Sequence, residues 1–413
     1  MKNTFILFIF LIVYSTTDAW YFYSPLRDQM LLPTFNPKQK SFFVIGAGST
    51  HNAHGYSEHA KLDNPFMLWQ NTESTINMLN GFSDNSLISQ LAQQVNTTDD
   101  GIRGHVRING NYQLTYGMVY GAHIPISHGW SIICFIPQYH AKIDHITIQD
   151  FTLTQTAQDQ RVKELLTNQL SSVLKTYGNG LTIDSWSKTG IGDFSFYLAW
   201  DQHFPQQKPL LQNVLLNVRS GIHIPTAQSI SKEYLLSHSF GNEGAWALPF
   251  GGQLKLDLGD YLSIGLDVEL TYIVNQTVKR RVKTATEQTE LFLLYKTKTH
   301  VDFGMNQHCS LFAQVHSKKY GLKTTLAYQY FKHGDDTLSG CSLTTDNQII
   351  NTARSLHDST AHHIISNTEL DIAQTCDAHW NFEPKVHFFA KIPFNGKNIL
   401  LNTFIGGGVS INF

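Results

Sequence analysis

The stretch Ile399–Phe413, which reads ILLNTFIGGGVSINF, ends the chain on an aromatic residue. Its odd-numbered positions are mainly apolar, and its even-numbered positions are mostly polar or glycine. A repeat of two residues is typical of a β-strand whose side chains point alternately to two faces. An apolar edge strand promotes aggregation of a soluble protein, whereas a closed barrel in lipid pairs its last strand with its first. The pattern therefore favours a transmembrane β-barrel that this strand closes.

The same alternation recurs along most of the chain. Between Gln253 and Ile273 the even positions are apolar, the odd positions are mostly polar or charged, and Gly259-Asp260 marks a tight turn. Between Arg103 and Ile124 one parity persists, which predicts a single long strand that projects beyond the bilayer. We therefore predict an all-β fold, an antiparallel up-and-down transmembrane β-barrel of about 12 strands. The predicted strands lie approximately at 41–51, 103–124, 129–148, 189–203, 211–225, 246–258, 261–275, 299–316, 320–332, 362–374, 382–393 and 399–413.

The connections between these strands alternate between long and short. The long ones span 54–102, 151–178, 227–244, 276–298 and 333–361. An outer-membrane barrel has long loops outside and short turns in the periplasm, and an even strand number places both chain ends in the periplasm. A soluble β-sandwich shows the same period of two, but it has no reason to alternate its loop lengths. We therefore assign 41–413 to one barrel domain with long external loops.

The N-terminus has the pattern of an export signal. Lys2 precedes an apolar run from Phe5 to Tyr14, which is shorter than the ~20 residues of a spanning helix. Small and polar residues follow as far as Ala19. We predict a signal peptide at 1–19 and a segment at 20–40 that lies in the periplasm or enters the lumen. A buried N-terminal helix is the alternative interpretation.

The composition fits a barrel in lipid and argues against one class of partner. Charged residues make up 15% of the chain, against a usual ~25%, and aromatic residues make up 12%. The formal net charge of −2 argues against a nucleic-acid partner, which would require a basic face. The 4 cysteines lie far apart without a CxxC spacing, so no disulfide pairing can be assigned and free cysteines are the simplest interpretation.

Two motifs around the fourth and fifth predicted strands carry a family resemblance. Lys188–Phe194 reads KTGIGDF, and Val218–Thr226 reads VRSGIHIPT. A GxGD strand start followed by a strand that closes on GxxxPT is similar to outer-membrane barrels of the family named for the meta-pathway of phenol degradation. That family is similar in style to long-chain fatty-acid transporter barrels. The close match covers Lys188 to Leu270. Its glycines and proline shape the starts and ends of strands and carry no chemical function. The resemblance implies transport of small, apolar solutes and a role for Phe413 in recognition by the barrel-assembly machinery.

Histidines raise the question of a metal site. His51, His54 and His59 lie near the start of the first long loop, and His362-His363 open a strand. A metal site usually needs at least three converging ligands and supporting hydrogen bonds, which this spacing does not indicate. We predict solvated loop histidines, no metal and no cofactor.

A hydrolase built on the barrel wall is a further alternative. It would need a serine and a histidine on one face with a third orienting group. Ser220 and His223 have opposite strand parity, and the chain contains no GxSxG motif. We therefore predict no enzymatic activity.

Charged residues on the polar strand faces are the candidates for function, because their parity directs them into the lumen. The candidates are Arg103, Arg107, Arg219, Lys255, Asp257, Asp267, Glu269, Lys323, Glu369 and Asp371, with Asp193, Lys385 and Lys391 on the same faces. Both signs occur in similar number, whereas a strongly ion-selective pore would carry one sign in excess. A salt-bridged interior that only satisfies buried charge is the alternative.

These observations predict a channel or transporter for small solutes in the bacterial outer membrane. Its expected partners are outer-membrane lipid, the barrel-assembly machinery through Phe413, and an unidentified small solute. An adhesive or structural surface protein, anchored by its barrel, is the alternative from another functional class.

Overall fold

The computed structural model describes residues 41–50, 53–227, 231–237, 239–340, 346–376 and 382–413. The predicted signal peptide at 1–19 and the predicted segment at 20–40 lie outside the described residues. His51 and Cys341 lie outside them as well.

The described strands close into an antiparallel barrel of twelve strands, numbered β1 to β12 in chain order. They are Phe42–Thr50, His105–Ser127, Trp130–Asp150, Trp186–Ile191 with Phe194–Pro205, Leu211–Ile224, Ala247–Leu258, Leu262–Ile273, Asn306–Ser317, Leu322–His333, Ser359–Asp371, Glu383–Lys397 and Phe404–Asn412. The strand β4 is interrupted at Gly192-Asp193, and both of its segments pair with β3. Each strand pairs with its sequence neighbours, and β1 also pairs with β12. The predicted fold class is confirmed.

The chain ends meet where closure was predicted. Phe42 of β1 lies opposite Asn412 of β12. The N–H of Phe413 donates to the carbonyl of Ser41 at 2.9 Å, and the rings of Phe43 and Phe413 lie 5.3 Å apart. Closure pairs the backbone groups of the first and last strands, which satisfies the main requirement that hydrocarbon places on a β-structure.

Side chains along β7 separate into two faces. The even-numbered side chains from Leu262 to Leu270 are each 38–40% exposed, whereas Asp267 and Glu269 between them are 7% and 1% exposed. Apolar side chains therefore cover the outside and polar side chains point inward. This polarity is opposite to that of a soluble sandwich and matches a barrel surrounded by lipid.

A β-bulge in β2 corrects the prediction that this strand keeps one parity. Leu114 pairs with Ala141 and Tyr116 pairs with His140, so Thr115 is an extra residue in the ladder. One extra residue moves all later side chains to the opposite face.

The two halves of β2 consequently use opposite parities. Before the bulge the buried side chains are even-numbered, namely Val106, Ile108, Tyr112 and Leu114. After it the odd-numbered Val119 and His123 are buried, and Ile124 is 42% exposed. The first half of β2 therefore turns its apolar side chains towards protein, and the second half turns them outward.

The strand predicted at 299–316 is also corrected, because β8 begins only at Asn306. Residues Tyr295–Asp302 belong to a separate sheet outside the barrel. Gly304 lies between the two strands, and a Cβ there would fall 2.2 Å from the carbonyl carbon of Gly334. The backbones at Gly304 and Gly334 therefore lie too close together for a side chain at position 304.

The last predicted strand divides into two. Ile399–Leu401 pairs with His54–Tyr56, and β12 starts after Asn402 and Thr403. The three residues of the first piece are only 1–4% exposed, so alternation between faces does not hold there. It holds in β12, where Ile405, Val409 and Ile411 are exposed.

The long connections pack together into an outer cap, which we define as the described residues of 53–104, 151–185, 225–246, 274–305 and 334–358. Its strands are His54–Tyr56, Leu62–Asp63, Glu73–Ser74, Gln276–Val282, Tyr295–Asp302 and Thr337–Ser339. Its α-helices are α1 (Leu87–Val95), α2 (Ala157–Val162), α3 (Leu170–Tyr177) and α4 (Asn347–Ile350), and its other helical turns are Pro65–Met67, Asn77–Leu79, Lys163–Thr167 and Arg354–Leu356. At the other end of the barrel lie α5 (Ile372–Thr375) and the turn Lys318–Tyr320. None of the described helices is long and apolar enough to span a bilayer.

A hydrophobic core joins the outer cap to the barrel. Leu91 of α1, Val162 of α2 and Leu174 of α3 are buried in one cluster with Phe292 and with the apolar side chains in the first half of β2. Burial of a leucine or phenylalanine side chain contributes about 1.5–3 kcal/mol. The long connections are therefore a packed part of the molecule, which strand counting alone does not reveal.

Candidate functional site in the barrel interior

Arg219 on β5 lies at the centre of a buried charged cluster. Its guanidinium donates to both oxygens of Asp267, at 2.7 and 2.9 Å, and to Glu269 at 3.0 Å. The side chains of Arg219 and Glu269 are both 0% exposed. The strand register explains the contact, because Gly251 of β6 lies between Arg219 and Glu269 in the sheet. Since Gly251 has no side chain, the arginine can reach across β6 to the carboxylates of β7.

Further polar groups extend this cluster around the wall. The hydroxyl of Tyr197 on β4 donates to Glu269 at 3.3 Å and lies 3.1 Å from Nε2 of His223. On the other side, Nδ1 of His308 lies 3.5 Å from Asp267. Side chains from β4, β5, β7 and β8 are therefore joined in one network, with one arginine facing two carboxylates.

A second cluster, centred on Glu369 of β10, has the opposite charge balance. Its carboxylate lies 3.0 Å from the ammonium of Lys323 and 2.9 Å from that of Lys385. His387 lies 3.9 Å from the same carboxylate and shares a 2.8 Å hydrogen bond with the hydroxyl of Ser410. Two lysines therefore share one carboxylate, whereas in the Arg219 cluster two carboxylates share one arginine.

Lys255 and Asp257 form a pair near the short-turn end of β6. Their charged atoms lie 3.5 Å apart, and Asp257 accepts a hydrogen bond of 2.7 Å from the hydroxyl of Ser263. Lys391 on β11 also faces inward and is 2% exposed. By contrast, Asp193 accepts the N–H of Asn242 at 2.6 Å and thereby holds the connection 225–246 against the barrel.

Three predicted candidates lie outside these interior clusters. Arg103 donates to Asp159 at 2.7 Å, at the start of α2 in the outer cap. Arg107 occupies the face of β2 opposite to the buried Val106 and lies 5.1 Å from the ring centroid of Phe151. Asp371 caps α5 through a hydrogen bond to its backbone.

An apolar strip beside the charged clusters of the interior was missed by the sequence reasoning. We call it the apolar wall, and its members are Val44, Ile133, Phe135, Tyr197, Phe389 and Phe404, each at most 8% exposed. The rings of Phe135 and Tyr197 stack at 6.0 Å, and those of Phe389 and Phe404 at 5.5 Å. All six side chains belong to the same buried cluster as the core of the outer cap. The interior therefore carries apolar and charged surfaces side by side, and Tyr197 belongs to both because its hydroxyl donates to Glu269.

A signal for the apolar wall exists in the sequence of β3. Residues Ile132 to Ile136 are apolar at both parities, with Cys134 at the centre. A continuous apolar run is typical of a strand that contacts apolar surroundings on both faces. Here one face meets lipid and the other meets the interior.

The histidines and cysteines in the described part of the chain form neither a metal site nor a disulfide. There, no three His, Cys, Asp or Glu side chains converge in a geometry that could hold a metal ion. Cys134, Cys309 and Cys376 are free thiols.

Comparison with solved structures gives an independent view of this architecture. An outer-membrane channel from Pseudomonas putida F1 superposes over 92% of this chain and 97% of its own, with 7% identity and a TM-score of 0.50. The two chains therefore share their fold. The CymD monoaromatic hydrocarbon channel (8% identity, 91% and 88% coverage, TM-score 0.29) and a FadL homologue from Pseudomonas aeruginosa (7% identity, 90% and 87% coverage, TM-score 0.24) align more weakly.

Sequence comparison adds nothing to this likeness. No protein-family model matches the chain, and no curated protein matches it. At such low identity the structural likeness concerns the fold alone, and function must be argued from the interior of this barrel.

Proposed function

We propose that the protein is a bacterial outer-membrane channel that passes small, mainly apolar solutes. The apolar wall carries this proposal, because it forms one continuous cluster with the core of the outer cap. A solute with a hydrocarbon face can stay in contact with apolar side chains along such a path. The shared fold with an outer-membrane channel supports the same conclusion.

The charged clusters of the interior complement this path. Their carboxylates pair with the guanidinium of Arg219 in one cluster and with two lysine ammonium groups in the Glu369 cluster, so the charges are held in place on the wall. A channel selective for one type of ion would instead carry an excess of one sign along its lumen.

Export and assembly belong to the same proposal. Residues 1–19 would direct the chain out of the cytoplasm as a signal peptide. The barrel-assembly machinery would recognise the terminal strand through Phe413, as the resemblance to other barrels implies. Outer-membrane lipid would then surround the exposed face of β7 and β12.

Solute entry into proteoliposomes with a lipopolysaccharide outer leaflet tests the proposal, because toluene crosses a plain phospholipid bilayer unaided but crosses a lipopolysaccharide leaflet slowly. We expect uptake of toluene to exceed uptake of a polar solute of similar size, such as xylose. Phe135→Gln places an amide on the apolar wall and should slow toluene entry several-fold. Phe196→Gln is the matched control, because Phe196 lies on the outer face of the same barrel region and is 37% exposed. Rates are compared per folded barrel, measured by heat-modifiable gel migration.

Equal toluene entry with and without the protein would rule out the channel. An anchored adhesive protein would give that result while keeping the same fold. Planar bilayers provide a second measurement, since a channel gives conductance steps and a barrel that serves only as an anchor gives none.

A further inference from the structure

A cavity of about 320 Å³ lies where the outer cap meets the outer ends of the barrel strands. Ile273, the last residue of β7, lines it together with Phe331 and His333 at the end of β9. The cap contributes Arg280 and Arg281 from the strand Gln276–Val282. The cavity is therefore placed at the mouth of the barrel, and its volume lies at the small end of the range for ligand pockets.

The lining of this cavity has an excess of positive charge. Its cationic side chains, apart from histidines, are Lys232, Arg280, Arg281 and Arg354, and its carboxylates are Glu243 and Asp336. Arg280 lies 2.9 Å from Glu243 and 3.7 Å from Asp336, and Lys232 lies 3.5 Å from Glu243. Both carboxylates are thus already engaged. Among the described residues, Arg281 and Arg354 form no ion pair.

Arg281 is held by backbone carbonyls rather than by a paired carboxylate, and the carboxylate of Glu233 acts on it only at longer range. Its guanidinium donates to the carbonyls of Gly178 at 2.7 Å and Leu293 at 3.2 Å. Burial lowers the pKa of Arg281 to about 10, so the side chain remains cationic at neutral pH. In the described part of the chain, its Nη2 and the Nε of Arg280 are buried N–H groups without an acceptor. A buried donor without an acceptor is costly, and a small movement of the guanidinium towards the cavity would let an anionic ligand supply the missing acceptor.

Aromatic side chains form the remainder of the lining. Trp69, Tyr234, Phe303 and Phe331 all contribute to the cavity wall. The guanidinium of Arg280 lies 5.7 Å from the ring centroid of Phe303, so positive charge and an aromatic face adjoin each other. A benzene-sized ligand occupies a cavity of about 150 Å³, which leaves room here for a ring with one substituent.

We infer that this cavity binds a small aromatic carboxylate of the benzoate type, with its ring against the aromatic wall and its carboxylate at Arg281. The fork of guanidinium N–H donors suits a planar carboxylate, and the ring buries apolar surface. As an entry site the cavity deepens the proposed function and rests on it, whereas binding itself can be measured without transport.

Isothermal titration of the full-length protein in detergent micelles tests the inference. We expect saturable binding of benzoate, weaker binding of toluene, and no binding of inorganic phosphate at the same concentration. Arg281→Met should weaken benzoate binding by about tenfold or more, since it removes a charge-assisted contact. Phe303→Leu should weaken it by several-fold through loss of the ring contact.

Two further variants keep the test decisive. Arg354→Met also removes a cation that forms no described ion pair, so it provides the answer if Arg281→Met does not fold. Arg161→Met is the matched control, because Arg161 is an exposed residue of α2 and does not line the cavity. It should bind benzoate as the unmodified protein does.

Three outcomes would overturn the inference. They are the absence of saturable benzoate binding to the folded protein, unchanged affinity in every folded arginine variant, and phosphate binding as tight as benzoate binding with no effect of Phe303→Leu. The inference and the proposed function can fail separately. Toluene uptake without benzoate binding would refute only the cavity, and benzoate binding without toluene uptake would refute only the channel.

Discussion

Replacement of Arg219 by methionine should destabilise the barrel more than most single substitutions would. Methionine retains much of the side-chain volume but removes the three charge-assisted hydrogen bonds to Asp267 and Glu269. Both carboxylates are largely buried, with side-chain exposures of 10% and 0%. The variant therefore leaves two negative charges without their cation inside the protein.

The expected cost follows from these contacts. Removal of one partner from a buried ion pair destabilises a protein by roughly 3–5 kcal/mol. Tyr197 still donates to Glu269 and His308 still lies beside Asp267, which offsets about 1 kcal/mol of the loss. We expect a net decrease of about 2–4 kcal/mol in the free energy of unfolding.

Denaturant titration in detergent micelles measures this value, with heat-modifiable gel migration as the readout of the folded fraction. The triple variant Arg219→Met, Asp267→Asn, Glu269→Gln removes the carboxylates together with the arginine. It should recover most of the lost stability, because replacing a whole buried ion network is often close to neutral. Arg161→Met, at an exposed position, should change stability by at most about 0.5 kcal/mol.

The reasoning would be refuted if Arg219→Met unfolded at the same denaturant concentration as Arg161→Met. It would be equally wrong if the triple variant were as unstable as the single one. That second result would mean that the packing of the arginine, and not its charge, stabilises this part of the wall.

Three further predictions concern the surface, the terminus and the outer cap. Leu266→Arg should lower the free energy of unfolding by about 2–4 kcal/mol, because the side chain faces lipid. Leu87→Arg in the outer cap should be nearly neutral, although Leu87 is also exposed. Equal effects of the two variants in the denaturant assay would contradict a lipid-facing β7. Deletion of 411–413 removes the last two residue pairs of β12 with both β1 and β11 and the hydrogen bond from Phe413 to Ser41. The truncated protein should therefore no longer show the mobility shift on boiling that marks a folded barrel. Burial raises the pKa of Glu73 to about 8, so the folded state holds its proton more tightly than the unfolded state, and this contribution is lost as the pH rises through 8. Stability should therefore fall by about 2–3 kcal/mol between pH 6 and pH 9, and Glu73→Gln should abolish this component; the same pH dependence in the variant would assign it to another group.

The sequence predicted the barrel well because lipid imposes a strict period of two on each strand. Leu266 and Asp267 occupy opposite faces, and no other arrangement of β7 would place apolar groups in hydrocarbon. Closure could be predicted for the same reason, since β12 needs a partner and β1 is the strand that remains. Both predictions depend on the lipid around the barrel, because every barrel strand meets the same hydrocarbon on its outer face.

The outer cap and the interior could not be predicted in this way. Above the bilayer the surroundings of a strand are other protein segments, so an apolar position no longer indicates lipid. Tyr295–Asp302 alternates like a barrel strand but pairs within a cap sheet. The contact of Arg219 with Glu269 depends on Gly251 between them, and only the strand register shows that these three residues are aligned.

The bulge at Thr115 has a consequence for how this chain tolerates changes in length. Because of one additional residue, the even-numbered side chains of β2 face a protein core before the bulge and face outward after it, although the sequence keeps the same alternation throughout. Deletion of Thr115 would rotate one half of β2 by one residue relative to the other, so that its two faces exchange places. The first half of β2 would then present Arg107 and Asn109 to the core of the outer cap and would turn Val106 and Ile108 outward. Substitutions along β2 affect one side chain each, whereas gain or loss of one residue there inverts a whole surface.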